Sequence, residues 1–213
     1  MRYLTTKIVA GVLITESVVV MTGWIFGVEW MTRLIPIGIN MKFITAVLFF
    51  FSALGLHAMA LSIEKENELA RVMLPGIALV IFLITMTLLV SWILGTPTGI
   101  EELFVQSAGP INLSNAVSIE GWPSLPTLFG FALFALLGID ALFAGAFRER
   151  SIRYAGYFIL LTGCFAVIGY MFSLPELYYE FTANSVPMAF NTAACFIVLG
   201  FGLTRILNPE ESQ

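Results

Sequence analysis

The sequence has little charge, little histidine and little cysteine. Asp, Glu, Lys and Arg make up 11% of its 213 residues, and there are one histidine and two cysteines. The formal net charge is −4, and no run of Lys or Arg is available to neutralise phosphates, so we expect no nucleic-acid partner. Cys164 and Cys195 both lie inside apolar runs, which indicates small core residues rather than a disulfide framework or a metal pair.

The motifs of soluble enzymes are also missing. The chain has no phosphate-binding loop, no His-Glu-x-x-His, no Cys-x-x-Cys and no serine flanked by glycines at a strand turn. These absences remove the usual signatures of phosphoryl transfer, metalloproteolysis, thiol redox chemistry and serine hydrolysis. We therefore predict a protein that is not an enzyme, with no catalytic residues and no bound metal.

Apolar residues fill most of the chain instead. They make up 59% of it, and the mean hydropathy is +0.93, which indicates an integral membrane protein. A span needs about 20 residues, so the chain has room for roughly six. We predict a single all-α membrane domain over residues 1–213, a six-helix bundle. Its predicted spans are 8–27, 41–62, 72–95 (with Pro75 in the first turn), 125–147, 154–173 and 188–207.

Loop charges predict the orientation of these spans. One side carries most of the basic residues: Arg2, Lys7, Lys65, Arg71, Arg148, Arg150, Arg153 and Arg205. The opposite side has only Arg33 and Lys42. Because basic loops remain on the cytoplasmic side, we predict a multi-pass protein of the bacterial inner (plasma) membrane with both termini in the cytoplasm.

A pattern recurs three times along the chain. In each copy a threonine opens an apolar run and a phenylalanine follows four residues later, on the same helix face; the threonines are Thr45, Thr127 and Thr192. The preceding spans end with an aromatic residue and, three residues later, a small one: Trp24 and Gly27, Trp92 and Gly95, Tyr170 and Ser173. We predict three helical-hairpin repeats, over residues 1–64, 65–147 and 148–213, with loops on the outer face that vary and bind.

Ionisable residues inside apolar spans are costly and are therefore the first functional candidates. Four lie in the spans or at a span end, and counting from the helix ends puts all of them in the cytoplasmic half: Glu16, His57, Asp140 and Arg205. We predict that they form an inner polar layer that ties helices together or reaches toward the inner interface. A proton relay or a ligand counter-ion is the alternative interpretation.

A second interpretation of His57 is that it is the axial ligand of a cofactor. Ala53, one turn earlier, is small enough to let a flat macrocycle approach the helix. Haem held by two histidines needs a second histidine, which the chain lacks. We predict no cofactor, and we keep a chlorophyll-type pigment with His57 as its single axial ligand as the minor alternative.

Aromatic residues gather on the side opposite the basic loops, as expected at a membrane interface. Four of them lie in or beside the outer loops, where repeat proteins often bind their ligands: Trp30, Trp122, Tyr178 and Tyr179. We predict that these four residues form the outer binding face.

One stretch supports a resemblance to a known class. The segment from Asn191 to Leu203, with Thr-Ala-x-x-Phe at its start and Gly-x-Gly near its end, and its approach from Pro187, resemble the last membrane helix of a multispan sensor module. Such modules form the N-terminal part of bacterial histidine kinases and diguanylate cyclases. The resemblance implies an input module. In those proteins the module continues into a catalytic domain, whereas this chain stops at Gln213, which implies a detached input module, a fragment or a subunit that joins other membrane chains.

These observations together predict a non-catalytic, sensor-like membrane module that receives an apolar ligand or a protein partner on its outer face. The predicted partners are the lipid bilayer and either another membrane protein or a second copy of the chain. Two alternatives remain open: an accessory or assembly subunit of an energy-converting (photosynthetic or respiratory) complex, and a small transporter.

Overall fold

A computed structural model describes residues 3–35, 39–65, 68–100, 121–144, 149–178 and 186–206. All regular structure in these ranges is helical, which confirms the predicted all-α class. The helices are α1 (Leu4–Phe26), α2 (Glu29–Thr32), α3 (Phe43–Lys65), α4 (Glu68–Leu94), α5 (Leu125–Ala144), α6 (Glu149–Phe172) and α7 (Phe190–Ile206), with a 3-10 turn at Pro175–Leu177.

Four of these helices are long and apolar enough to cross a membrane: α1, α3, α4 and α6. Helices α5 and α7 are apolar but shorter. The 17 residues of α7 extend roughly 26 Å, slightly less than the hydrocarbon core of a typical bilayer. Length and composition are therefore consistent with a membrane protein.

The helices pack most extensively in consecutive pairs: α1 with α3, α4 with α5, and α6 with α7. Small residues allow the close approach of α4 to α5 and of α6 to α7, as they commonly do between membrane helices. A Cβ atom added to Gly138 of α5 would lie 2.5 Å from the Cβ of Ala78 in α4, and one added to Gly163 of α6 would lie 2.5 Å from the Ala193 carbonyl oxygen in α7.

Three phenylalanine rings form the centre of the bundle. Phe49 of α3, Phe131 of α5 and Phe196 of α7 are fully buried, with ring centroids 4.7, 5.1 and 5.2 Å apart in tilted and edge-to-face arrangements. These are the phenylalanines that follow Thr45, Thr127 and Thr192 by four residues. We call this group the phenylalanine cluster.

Helices α1, α4 and α6 end in the same way. Each has a residue in the left-handed conformation, at Gly27 (φ 67°), Gly95 (φ 64°) and Ser173 (φ 53°). Beyond each of them a backbone N–H returns to a carbonyl five residues earlier: Val28 to Gly23, Thr96 to Ser91 and Leu174 to Gly169. This is a common helix C-terminus, in which a left-handed residue lets the chain satisfy free carbonyl groups. The three aromatic-x-x-small segments are thus structurally alike.

In two of these segments the aromatic side chain makes an equivalent hydrogen bond to the backbone just before the next long helix. The Trp24 indole N–H donates to the carbonyl oxygen of Met41 at 2.7 Å, and the Tyr170 hydroxyl donates to that of Met188, also at 2.7 Å. Met41 and Met188 each precede a repeat threonine by four residues. The aromatic residues at these two helix ends therefore fix the segment that leads into α3 or α7.

Ser173 is the only one of the three left-handed residues that carries a side chain. We expect Ser173→Gly to raise the free energy of unfolding by about 0.5–1 kcal/mol, because glycine adopts this conformation without steric cost. Gly27→Ala, which adds a Cβ atom at the matching left-handed position, should lower it by about 1 kcal/mol. Denaturation of the purified protein in mixed micelles measures both, and a destabilised Ser173→Gly would contradict the expectation.

Candidate functional site

A cavity of about 490 Å³ lies between α1, α2 and α7. Its volume falls in the usual range for small-molecule sites. Seven residues line it: Glu16, Val19, Trp30, Met31, Arg33, Leu34 and Asn191. We call it the α1–α2–α7 cavity. It combines apolar walls with a carboxylate, an amide, a guanidinium and an indole.

Asn191 of α7 makes hydrogen bonds to two other segments that line this cavity. It is the second residue of α7 and is 1% exposed. Its amide nitrogen donates to Glu16 Oε1 of α1 at 3.1 Å, and its amide oxygen accepts from the backbone N–H of Leu34 at 2.7 Å. Interhelical hydrogen bonds from asparagine are a common stabilising contact inside a membrane, because an unmet amide is costly there. One side chain thus joins α1, α7 and the segment after α2.

Helix α2 covers one side of the cavity and packs tightly against α1. A Cβ atom on Gly23 would be 2.6 Å from the Cβ of Met31, so glycine is needed where the two helices touch. Trp30, on the same short helix, remains 71% exposed while it lines the cavity. Its indole is therefore available to a ligand at the rim.

The charges around the cavity do not balance. The Arg33 guanidinium donates to the Glu29 carboxylate at 2.6 Å, so these two charges offset each other. Glu16 is half-buried, and its hydrogen-bond partner in the described part of the chain is the neutral Asn191 amide. An ionised Glu16 leaves the site with one negative charge in excess.

The structure brings the three repeat threonines together at a second, smaller cavity. Thr45, Thr127 and Thr192 all line it, alongside Asn40 and Ser124. Its volume is about 10 Å³, roughly that of a single water site. The hydroxyl groups of Ser124 and Thr127 lie 2.7 Å apart and share a hydrogen bond. The phenylalanine cluster lies one helical turn further along, so this cavity is a buried polar cap on an apolar core.

The four residues of the predicted inner polar layer do not lie at one level. Helices α1 and α7 pack with Val9 against Gly202 and Glu16 against Asn191. Asn191 and Arg205 are 14 residues apart on α7, which is roughly 20 Å. Glu16 therefore lies far from the helix end that holds Arg205, and it belongs to the α1–α2–α7 cavity. Counting residues from the helix ends did not indicate this separation between Glu16 and Arg205.

The other three members of that layer lie on three different helices, α3, α5 and α7. His57 on α3 and Asp140 on α5 are half-buried. The Arg205 guanidinium lies 5.0 Å from the ring centroid of Phe201, a cation–π contact in the last turn of α7. Ala53, where a macrocycle bound to His57 would have to approach, is fully buried in the core. Within the described ranges, no three His, Cys, Asp or Glu side chains are grouped to hold a metal ion.

Of the four residues predicted for the outer binding face, Trp30 lines the large cavity. Trp122 is 4% exposed and donates to the Ser91 hydroxyl at 3.1 Å, so its ring packs inside the protein. Tyr178 stacks on Tyr170 with ring centroids 4.2 Å apart. Tyr179 lies outside the described residues.

Sequence reasoning missed the role of Asn191. It entered only as part of a resemblance, although an asparagine in an apolar helix needs a hydrogen-bond partner as an ionisable residue does. That rule identifies it as a site residue, but it does not identify Glu16 as the partner. The partner depends on how α7 is placed against α1.

Comparisons with protein-family models, with curated proteins and with solved structures found no match. The site geometry therefore carries the functional conclusion.

Proposed function

We propose that this protein is a non-catalytic, sensor-like membrane module that receives an amphipathic ligand in the α1–α2–α7 cavity. The observation that carries the proposal is the composition of that cavity. Val19, Met31 and Leu34 supply apolar walls, while Glu16 and Asn191 supply polar groups at one place. This combination suits a molecule with a polar head and an apolar body.

The proposal includes a topology. The protein crosses the bacterial inner membrane six times as three hairpins, with both termini in the cytoplasm. Support comes from the pairing of α1 with α3, α4 with α5 and α6 with α7, and from the matching ends of α1, α4 and α6. The meeting of three equivalent phenylalanines is what three repeats around a common centre would produce. In this topology the cavity opens on the outer side.

A signal would travel along α7. At one end of this helix Asn191 binds Glu16 of α1 and the backbone N–H of Leu34, and Arg205 lies in its last turn at the other end. A ligand that displaced the Asn191 amide from Glu16 would free the outer end of α7. The inner end would then pass the movement to a partner chain in the cytoplasm or the membrane, consistent with an input module.

The packing of the core favours this function over a transporter. In the part of the chain that the structure describes, the phenylalanine cluster fills the centre of the bundle with fully buried rings rather than with a passage. The accessory-subunit alternative would use the exposed apolar faces of α4 and α6, but lipid covers such faces equally well. The α1–α2–α7 cavity is the more specific feature.

A matched pair of variants tests the proposal. Val19 lines the cavity, while the adjacent Val18 is 44% exposed and does not line it. We expect Val19→Trp to fill the cavity and lower the occupancy of a bound lipid or detergent at least fivefold, as measured by native mass spectrometry of the purified protein. Val18→Trp should leave the occupancy unchanged.

Circular dichroism establishes that both variants are folded. Equal occupancy in the two tryptophan variants would reject the cavity as the ligand site. A bound amphiphile that both variants lost would place the binding surface elsewhere on α1.

A further inference from the structure

We infer that the head group bound in the α1–α2–α7 cavity is an alkylammonium cation. This inference rests on the proposed function, because it names the ligand class of the same cavity. Three features of the lining carry it: a half-buried carboxylate, an exposed indole at the rim and an arginine whose charge is already offset.

The carboxylate of Glu16 supplies the attraction. Its Oε1 accepts a hydrogen bond from the neutral Asn191 amide, which orients the group without cancelling its charge. A carboxylate has room for about four hydrogen bonds, so acceptor capacity remains. Because the surroundings are partly apolar, a cation at this place gains more electrostatic energy than it would in water.

Trp30 supplies a second group that attracts cations. Its ring lines the cavity and is largely exposed. The face of an indole attracts cations, and it attracts quaternary ammonium groups in particular. A carboxylate and an indole on one cavity are complementary to an ammonium head, whereas both disfavour an anionic one.

An Arg33 guanidinium whose charge was not offset would repel an alkylammonium head group. The Arg33 guanidinium, however, donates to Glu29 at 2.6 Å, from the residue that directly follows the short helix. The pair Glu29–Arg33 is neutral in sum, so Glu16 determines the sign of the site. The apolar side chains of Val19, Met31 and Leu34 then contact the alkyl chain.

Fluorescence quenching tests the inference in the full chain, purified in a neutral maltoside detergent. The probes are a bromoalkyl trimethylammonium and a bromoalkanol of the same chain length, since bromine quenches tryptophan on contact. The difference between the protein and its Trp30→Phe variant isolates the signal of Trp30. We expect the cation to bind at least tenfold more tightly than the alcohol.

Three charge variants give distinct results. Glu16→Gln retains the acceptor for Asn191 but removes the charge, and we expect it to weaken the cation about tenfold while the alcohol changes less than twofold. Arg33→Gln leaves Glu29 unpaired and should strengthen the cation a few-fold. Glu68→Gln, an equal charge change at an exposed position in the first turn of α4, should change neither.

The outcomes separate the two proposals. Equal affinity for the cation and the alcohol, unchanged in Glu16→Gln, overturns the inference but leaves an amphiphile-binding cavity. Absence of Trp30 quenching by both probes overturns the inference and the proposed function together. If Glu16→Gln does not fold, a weaker rather than stronger cation affinity in Arg33→Gln still contradicts the inference.

The ammonium can belong to a lipid head group or to a soluble amphiphile. Nanodiscs of phosphatidylglycerol, with and without phosphatidylethanolamine, distinguish the two sources. If phosphatidylethanolamine competes with the brominated cation in the protein but not in Glu16→Gln, the ligand is a lipid of the bilayer. If it does not compete and the cation still binds, the source is a soluble amphiphile.

Discussion

Phe49→Ala is expected to lower the free energy of unfolding by about 3 kcal/mol. Phe49 is fully buried and contacts both other rings of the phenylalanine cluster, so its removal leaves a cavity that neither ring can fill alone. Inside a bilayer little is gained by removing apolar surface from water, and the lost packing contacts supply most of the cost. Denaturation in mixed micelles measures the change.

Phe165→Ala is the matched control, because Phe165 is 54% exposed on α6 and detergent replaces its contacts. We expect a change within about 0.5 kcal/mol there. Adding Phe131→Ala to Phe49→Ala should cost less than Phe131→Ala alone, since the cluster is already open. Equal effects at Phe49 and Phe165 would mean that the cluster does not stabilise the bundle.

Gly200→Ala is expected to lower the free energy of unfolding by about 2–3 kcal/mol, although alanine is the better helix former. A Cβ atom at Gly200 would lie 2.5 Å from the backbone nitrogen of Leu160 and 2.6 Å from the carbonyl oxygen of Gly156. Backbone atoms cannot rotate away, so α6 and α7 must separate. The same denaturation assay measures this loss.

Gly11→Ala provides the comparison for this variant. It is the same substitution in the interior of α1, where an added Cβ meets nothing within 4 Å. We expect it to be neutral or to stabilise the protein by up to about 1 kcal/mol, through helix propensity alone. A Gly200→Ala protein as stable as Gly11→Ala would contradict the tight contact between α6 and α7.

The sequence predicted the helices well because their signals are local. Apolar runs of about 20 residues, bounded by glycine, proline or charge, locate α1, α3, α4, α5, α6 and α7. The start of α4 was predicted too late. Residues 68–71 are charged or lie beside charges, so they indicated a loop, whereas the helix begins at Glu68 and Pro75 lies in its interior. A helix can extend beyond the apolar run into the interface.

The threonine pattern predicted that three helices are equivalent, but not that their threonines meet at one place. Spacing along the sequence showed that Thr45, Thr127 and Thr192 resemble one another, and the structure adds that they line one buried polar cavity. Which faces of three helices meet depends on packing angles, and apolar helices with little amphipathic character do not specify them. For the same reason Trp122 was predicted on the outer face, although it is buried against Ser91.

The sequence did not predict that the residues of the α1–α2–α7 cavity lie together. Glu16 and Trp30 were both singled out, but for different layers, because residue counting placed Glu16 in the inner half. Their proximity depends on the segment after α2, where the Leu34 N–H binds Asn191. No local pattern in that segment indicates such a partner.

The hydrogen bonds of Asn191 impose an order on biosynthesis. Asn191 is 175 residues from Glu16 and 157 from Leu34 along the chain. At typical ribosomal rates, roughly 10–35 s pass between the translation of Glu16 and that of its partner. Throughout that interval the carboxylate lacks the amide that binds it in the folded protein. The contact between α1 and α7 around Glu16 therefore forms only after the last helix has been made.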